Sequence, residues 1–200
     1  MQRLRFNYHM QLIFECPAKE HHFKLRCFPV SDERQKIFHE SVEIYPVHFS
    51  SEERDSFGNL CVYGTANQEH ERFAVDVEGN AEIDACKEIH AGLRDAGIFR
   101  YATKLTEAGK NLREFYAGLE FEKGMPEFSR ALLMMKALHK NFSYVQGVTN
   151  IATTAEESFS GKRGVCQDYA HILLALCRIS RIPCRYVAGM IPGEGATHAW

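Results

Sequence analysis

Gly161-Lys-Arg-Gly-Val-Cys166-Gln-Asp-Tyr-Ala-His-Ile-Leu-Leu-Ala-Leu176 reads as a turn, a thiol and a helix that begins at the thiol. The helix is apolar nearly all round: Tyr169, Ile172, Leu173, Leu174, Leu176, Cys177 and Ile179 leave only a narrow stripe of Asp168, His171, Ala175 and Arg178. Such a helix belongs inside a domain. Its first residue meets the unpaired amides of a helix N-terminus, which favour thiolate over thiol. Gly161 and Gly164 supply the turn, and Lys162 and Arg163 add positive charge beside it. Ile182-Pro183 then ends the helix, Cys184 to Ile191 reads as a strand, Pro192-Gly-Glu-Gly195 as a return turn, and Thr197-His198-Ala-Trp200 as the start of a partner strand. A cysteine on a buried helix and a histidine on the hairpin beside it have the layout of a nucleophile and its base, joined by folding rather than adjacency.

The bulk composition allows this and excludes other classes. Two hundred residues, 45% hydrophobic and 25% charged, can build one large domain or two small ones. A net charge of -2 gives no electrostatic case for nucleic acid or an anionic membrane. The N-terminus lacks the apolar segment of a secretory signal, and no apolar run approaches transmembrane length. Seven cysteines (16, 27, 61, 86, 166, 177 and 184) occur without Cys-x-x-Cys or a Cys/His cadence, so neither a disulfide framework nor a zinc site is expected. Free thiols in a reducing, cytoplasmic setting are the simplest reading, with Cys177 and Cys184 as core residues. No metal and no organic cofactor are implied.

Upstream, Leu4 to Glu15 alternates with period two, as a half-buried strand does. Phe23 to Cys27, Ile37 to Tyr45, Leu60 to Tyr63 and Phe73 to Val77 read as further strands, in the second of which Phe38, Val42 and Ile44 share a face. Strands without helix signals predict an antiparallel β-sandwich-like domain over residues 1–83. Asp55-Ser-Phe-Gly58-Asn59 has turn chemistry, and His21-His22, with no third ligand nearby, reads as a solvated hairpin tip. A partly helical connector is expected over 84–124, with helices at Asp84 to Leu93 and Lys110 to Leu119. A core of 125–200 follows. Its first helix, Pro126 to Lys140, buries Phe128, Ala131, Leu132, Met135 and Leu138 in this reading, and Thr154-Ala-Glu-Glu157 forms a capping box. His171 is expected at the surface or just behind the site, and Trp200 is expected to pack.

Gly164-Val-Cys-Gln-Asp-Tyr-Ala170, Arg181-Ile-Pro-Cys-Arg-Tyr-Val-Ala-Gly189 and His198-Ala-Trp200 together resemble the core of the bacterial transglutaminase-like superfamily. The N-terminal half, including the Asp55–Asn59 turn, is similar to the β domain that precedes this core in one bacterial branch. The resemblance implies an α+β chain with a papain-like core, Cys166 as nucleophile and His198 as base. It also implies a third catalytic residue, usually Asp, on the strand after the histidine strand. No residue of this chain takes that role, and the core is expected to be truncated at its C-terminal end. Asp168 is read instead as a charge at the helix N-terminus.

The expected activity is cysteine-dependent acyl transfer on a peptide or carboxamide, through a thioester. The Cys166 backbone N–H serves as an oxyanion donor, and hydrolysis is favoured over cross-linking because nothing suggests a second substrate site. The partner is a protein or peptide substrate. The rival reading is a polypeptide-binding protein that keeps the fold without catalysis.

Overall fold

The computed structural model describes residues 1–87 and 97–199. The chain forms two compact units, Met1–His90 and Ala91–Trp200. The first holds six strands among the described residues: β1 (Gln2–Ala18), β2 (His21–Leu25), β3 (Gln35–Tyr45), β4 (Phe49–Arg54), β5 (Leu60–Ala66) and β6 (His70–Ile83). They form two antiparallel three-stranded sheets, ordered β1-β6-β3 and β2-β5-β4. The alternating side chains of β1 decide its inner face: Phe6, Tyr8, Met10 and Phe14 pack with Phe73, Val75 and Val77 of β6 and with Phe23, Leu25 and Val62 of the other sheet. The apolar layer between two sheets is the sandwich core that the alternation implies.

Three details differ from the sequence reading. β4 carries no apolar alternation, and all its residues are exposed; its backbone ladder to β5 makes it a strand. A bulge between His39 and Ser41 changes parity within β3, so Ile37 and Ile44 both turn inward while Phe38 is exposed. His21 is not on a solvated tip: it lies within β2, half-buried, with its Nδ1 3.2 Å from His70 Nε2 and its ring against Phe73. The Asp55 turn is as expected. Its carboxylate accepts from the Phe57 and Asn59 amides at 2.9 and 3.0 Å, and Gly58 takes φ +80°.

The second unit contains α1 (Lys110–Ala117), α2 (Glu127–Asn141), α3 (Ala155–Gly161) and α4 (Cys166–Ile179). Two short pairings accompany them, β7 (Ser143–Tyr144) parallel to β8 (Arg163–Gly164), and β9 (Ala188–Met190) antiparallel to β10 (Thr197–Ala199). Helix α4 is the hub, packed against α1, α2 and α3 and against β8 and β10. Leu112, Met134, Leu138, Phe142, Phe159, Ile172 and Leu176 form the core around it. Residues of α1, read from the sequence as part of a connector, pack into this core through Leu112, Phe115 and Tyr116. The helix expected at Asp84 to Leu93 is a turn at 84–87, and its remainder lies outside the described residues.

Helix α2 turns a different face inward from the one expected. Met134 and Leu138 are fully buried, with Ala131 packed against the core, while Phe128 is 78% exposed and Leu132 and Met135 also face water. Apolar residues cover more than one face of α2, and contact with α4 selects between them. The strand expected from Cys184 to Ile191 is confined to Ala188–Met190.

Candidate active site

Cys166 is the first residue of α4 and is half-buried. The turn before it is not made by Gly161, which ends α3. Lys162 makes it, in the left-handed region at φ 54°, and its N–H donates to Phe159 O. Gly164 has another role. A Cβ there would stand 2.4 Å from Asp168 Oδ2, so only glycine leaves room for that carboxylate.

Asp168 explains why α4 begins where it does. It is 1% exposed, and its Oδ2 accepts from the Val165 N–H at 2.7 Å and from the Thr149 hydroxyl at 2.7 Å. The first of these is the side-chain half of a capping box, satisfying the amide just before Cys166. The carboxylate therefore does more than neutralise the helix terminus: it ties the backbone at residue 165 to Thr149, 19 residues upstream of Asp168 itself. The Val165 carbonyl accepts from the Asp168 and Tyr169 amides at 2.9 and 3.1 Å. The amides of Cys166 and Gln167 come before that first turn and have no carbonyl one turn back to donate to.

The polar stripe of α4 lies inside the unit. His171 is 8% exposed, not at the surface, because its ring packs against Tyr186, with centroids 5.5 Å apart. Burial pushes its pKa below the ordinary histidine value, against a raising influence from Asp168. Burial also pushes the Tyr186 phenol up, and the nearby sulfur of Cys166 adds to this. Arg178 donates to the carbonyl of Phe99 at 3.4 Å and to the hydroxyl of Thr106, fastening the segment before α1 to the hub. Cys177 and Cys184 are core residues, as expected; the Cys184 sulfur, followed by burial, holds Cys177 as a thiol.

His198 sits in the middle of β10, half-buried and paired with Gly189 of β9. Since α4 packs on β10, the fold brings the elements bearing Cys166 and His198 together. A carboxylate oxygen of Glu194, on the turn between β9 and β10, stands 2.7 Å from His198 Nε2. Sequence reasoning missed Glu194, since a single acid on a Gly-rich turn carries no signal. It also missed Thr149 and Tyr186, which reach the site from distant segments. Lys162 and Arg163 are both exposed, and Trp200 lies outside the described residues. Among the described residues, no group of three or more His, Cys, Asp or Glu side chains is placed to hold a metal ion.

Residues 113–200 match the transglutaminase-like superfamily, and residues 4–82 match the bacterial transglutaminase-like N-terminal region. The chain is thus similar to the transglutaminase-like superfamily over both matched regions. Its fold is similar to that of a candidate cysteine protease from Cytophaga hutchinsonii, with a TM-score of 0.75 at 22% identity, covering 98% of this chain and 73% of that one. An uncharacterised protein of Mycobacterium leprae is 23% identical over the whole of this chain and 78% of its own length. Uncharacterised proteins of Mycobacterium bovis and Mycobacterium tuberculosis are 25% identical over 75% of this chain, which spans only 56% of their length. No helix among the described residues is long and apolar enough to cross a membrane.

Proposed function

We propose that this transglutaminase-like chain carries the nucleophile and base of a cysteine-dependent acyl-transfer enzyme acting on peptide or carboxamide bonds. The observation that carries the reading is the position of Cys166 at the start of a buried helix packed on the strand that bears His198. A thiol so placed has a fixed backbone and free amides beside it, the two things a nucleophile of this class needs.

The Cys166 sulfur attacks the carbonyl carbon as its proton passes to His198. The carbonyl oxygen becomes an oxyanion, for which the Cys166 N–H is the donor at hand. When the tetrahedral adduct collapses, the C–N bond breaks and His198 returns the proton to the departing amine. The thioester left on Cys166 is cleaved by water, giving a carboxylate, or by a second amine, giving a new amide. In either case the sulfur leaves and takes back a proton through His198. Hydrolysis is favoured, because water needs no second binding site. The partner is a protein or peptide substrate.

Cys166→Ala abolishes amide turnover on this reading, and His198→Ala lowers it by orders of magnitude. Wild type and Cys166→Ala acting alike on every amide tried would instead indicate a polypeptide-binding role.

A further inference from the structure

From the end of β7 to α3 the chain leaves apolar side chains in water, on a stretch bonded to residues that flank Cys166. Tyr144, Val145 and Val148 are exposed, and Ile151 is 85% exposed. Single exposed apolar residues are ordinary. Four within eight positions, on a segment bonded to the nucleophile's own backbone, are not.

Three contacts fasten the segment on both sides of Cys166. The Val145 N–H donates to Gly164 O at 2.8 Å, Gln167 Nε2 donates to Asn150 O at 3.4 Å, and the Thr149 hydroxyl donates to the buried Asp168 carboxylate at 2.7 Å. The segment also braces itself, since the Asn150 N–H donates to Thr153 Oγ1 at 2.9 Å and the Ala152 N–H to Asn150 Oδ1 at 2.8 Å. In a chain that is 25% charged, no charged residue occurs from Asn141 to Ala155. Nothing in this stretch would select an acidic or basic group, whereas the held valines and isoleucine favour an apolar one.

We propose that the 144–151 segment is the specificity surface of the site and takes a large aliphatic or aromatic side chain on the residue next to the attacked carbonyl. The substrate class is then a peptide amide with an apolar neighbour. This rests on the reading of Cys166 as the nucleophile. An acyl chain attached at that sulfur must lie over the adjoining surface, and this segment is bonded to the residues that flank the sulfur.

The test uses N-acetyl dipeptide amides of 7-amino-4-methylcoumarin with Phe, Leu, Asp or Lys next to the attacked residue. Wild type should turn over the Phe and Leu peptides about ten- to a hundredfold more efficiently in kcat/KM than the charged pair. Val148→Ser and Ile151→Ser alter exposed side chains and leave the core intact. They should erase the preference through KM, with kcat held within about twofold. Equal turnover of all four peptides, or a preference that survives both variants, overturns the inference, while loss of activity in Cys166→Ala keeps the nucleophile reading. If no peptide is turned over, or Cys166→Ala is fully active, the nucleophile reading fails, and calorimetric binding of the Phe peptide to Cys166→Ala protein decides the surface by itself. Binding that weakens at least tenfold with Ile151→Ser upholds it, and absence of binding overturns it.

Discussion

Replacing Gly164 with alanine should be among the costliest one-atom changes in this chain. The added Cβ would lie 2.4 Å from Asp168 Oδ2, 2.6 Å from Cγ and 2.7 Å from Cβ of the same residue. Ordinary carbon–oxygen contact needs roughly an ångström more. Asp168 is 1% exposed and anchored to a helix, so its carboxylate can give way only by lengthening the 2.7 Å bonds to the Val165 N–H and the Thr149 hydroxyl. Hydrogen bonds to a charged group contribute about 1.5–3 kcal/mol each. Gly164 is not at positive φ, so alanine regains about 0.4–1 kcal/mol by restricting the unfolded chain. The net expectation is a loss of about 2–5 kcal/mol, read as a fall in the thermal midpoint of the second unit by calorimetry. Asp168→Gly removes the carboxylate and the Cβ alike, so Gly164→Ala in that background should cost less than about 1 kcal/mol, a large coupling for a double-mutant cycle. Equal cost in both backgrounds would refute the reasoning.

Other contacts give further expectations. Glu156 caps α1 from α3, accepting from the amides of Gly109, Asn111 and Leu112 at 3.0, 2.8 and 3.2 Å, so Glu156→Ala should cost about 1–3 kcal/mol in chemical denaturation and Glu156→Gln less. Burial lowers the pKa of His171, so the unfolded chain takes up its proton first. Its contribution to stability is therefore complete above about pH 7 and is lost as pH falls below about 6.5, and His171→Gln should flatten that part of the stability–pH curve. His21, lowered by burial in the first unit, has the same sign, so the curve should keep a residual slope. Glu194 faces His198 at 2.7 Å but is about half exposed, and Glu194→Ala should lower kcat/KM by no more than about tenfold, the worth of a surface ion pair. A loss of a thousandfold or more would assign Glu194 a larger role.

The buried position of the Cys166 helix was legible in the sequence because an almost wholly apolar helix has one place to go, and α4 sits there, among α1, α2 and α3. The sandwich was legible for a similar reason, since period-two alternation in β1 leaves one face to bury. Elsewhere the pattern admitted two answers. Along α2, Phe128, Leu132 and Met135 continue the apolar spacing as well as Met134 does, and nothing local says which row meets α4. The stripe of Asp168 and His171 was visible as polar, but polarity alone argued for water. What buries Asp168 is a hydroxyl at Thr149 and a missing side chain at Gly164, partners that only the fold brings within reach. Strand β4 has no pattern of its own and exists through its ladder to β5. The packing of the Cys166 helix on the His198 strand was legible as an order of elements, whereas the Glu194 contact depends on how one turn closes.

The proposed mechanism requires a covalent acyl intermediate on Cys166, which intact-mass analysis of acid-quenched turnover mixtures detects. With an activated amide or ester in excess, one acyl adduct per chain is expected, mapped by peptide analysis to Cys166 rather than to the other six cysteines, absent in Cys166→Ala and discharged by hydroxylamine. Turnover that proceeds undiminished in Cys166→Ala, or an adduct that forms equally on the remaining cysteines, would contradict it.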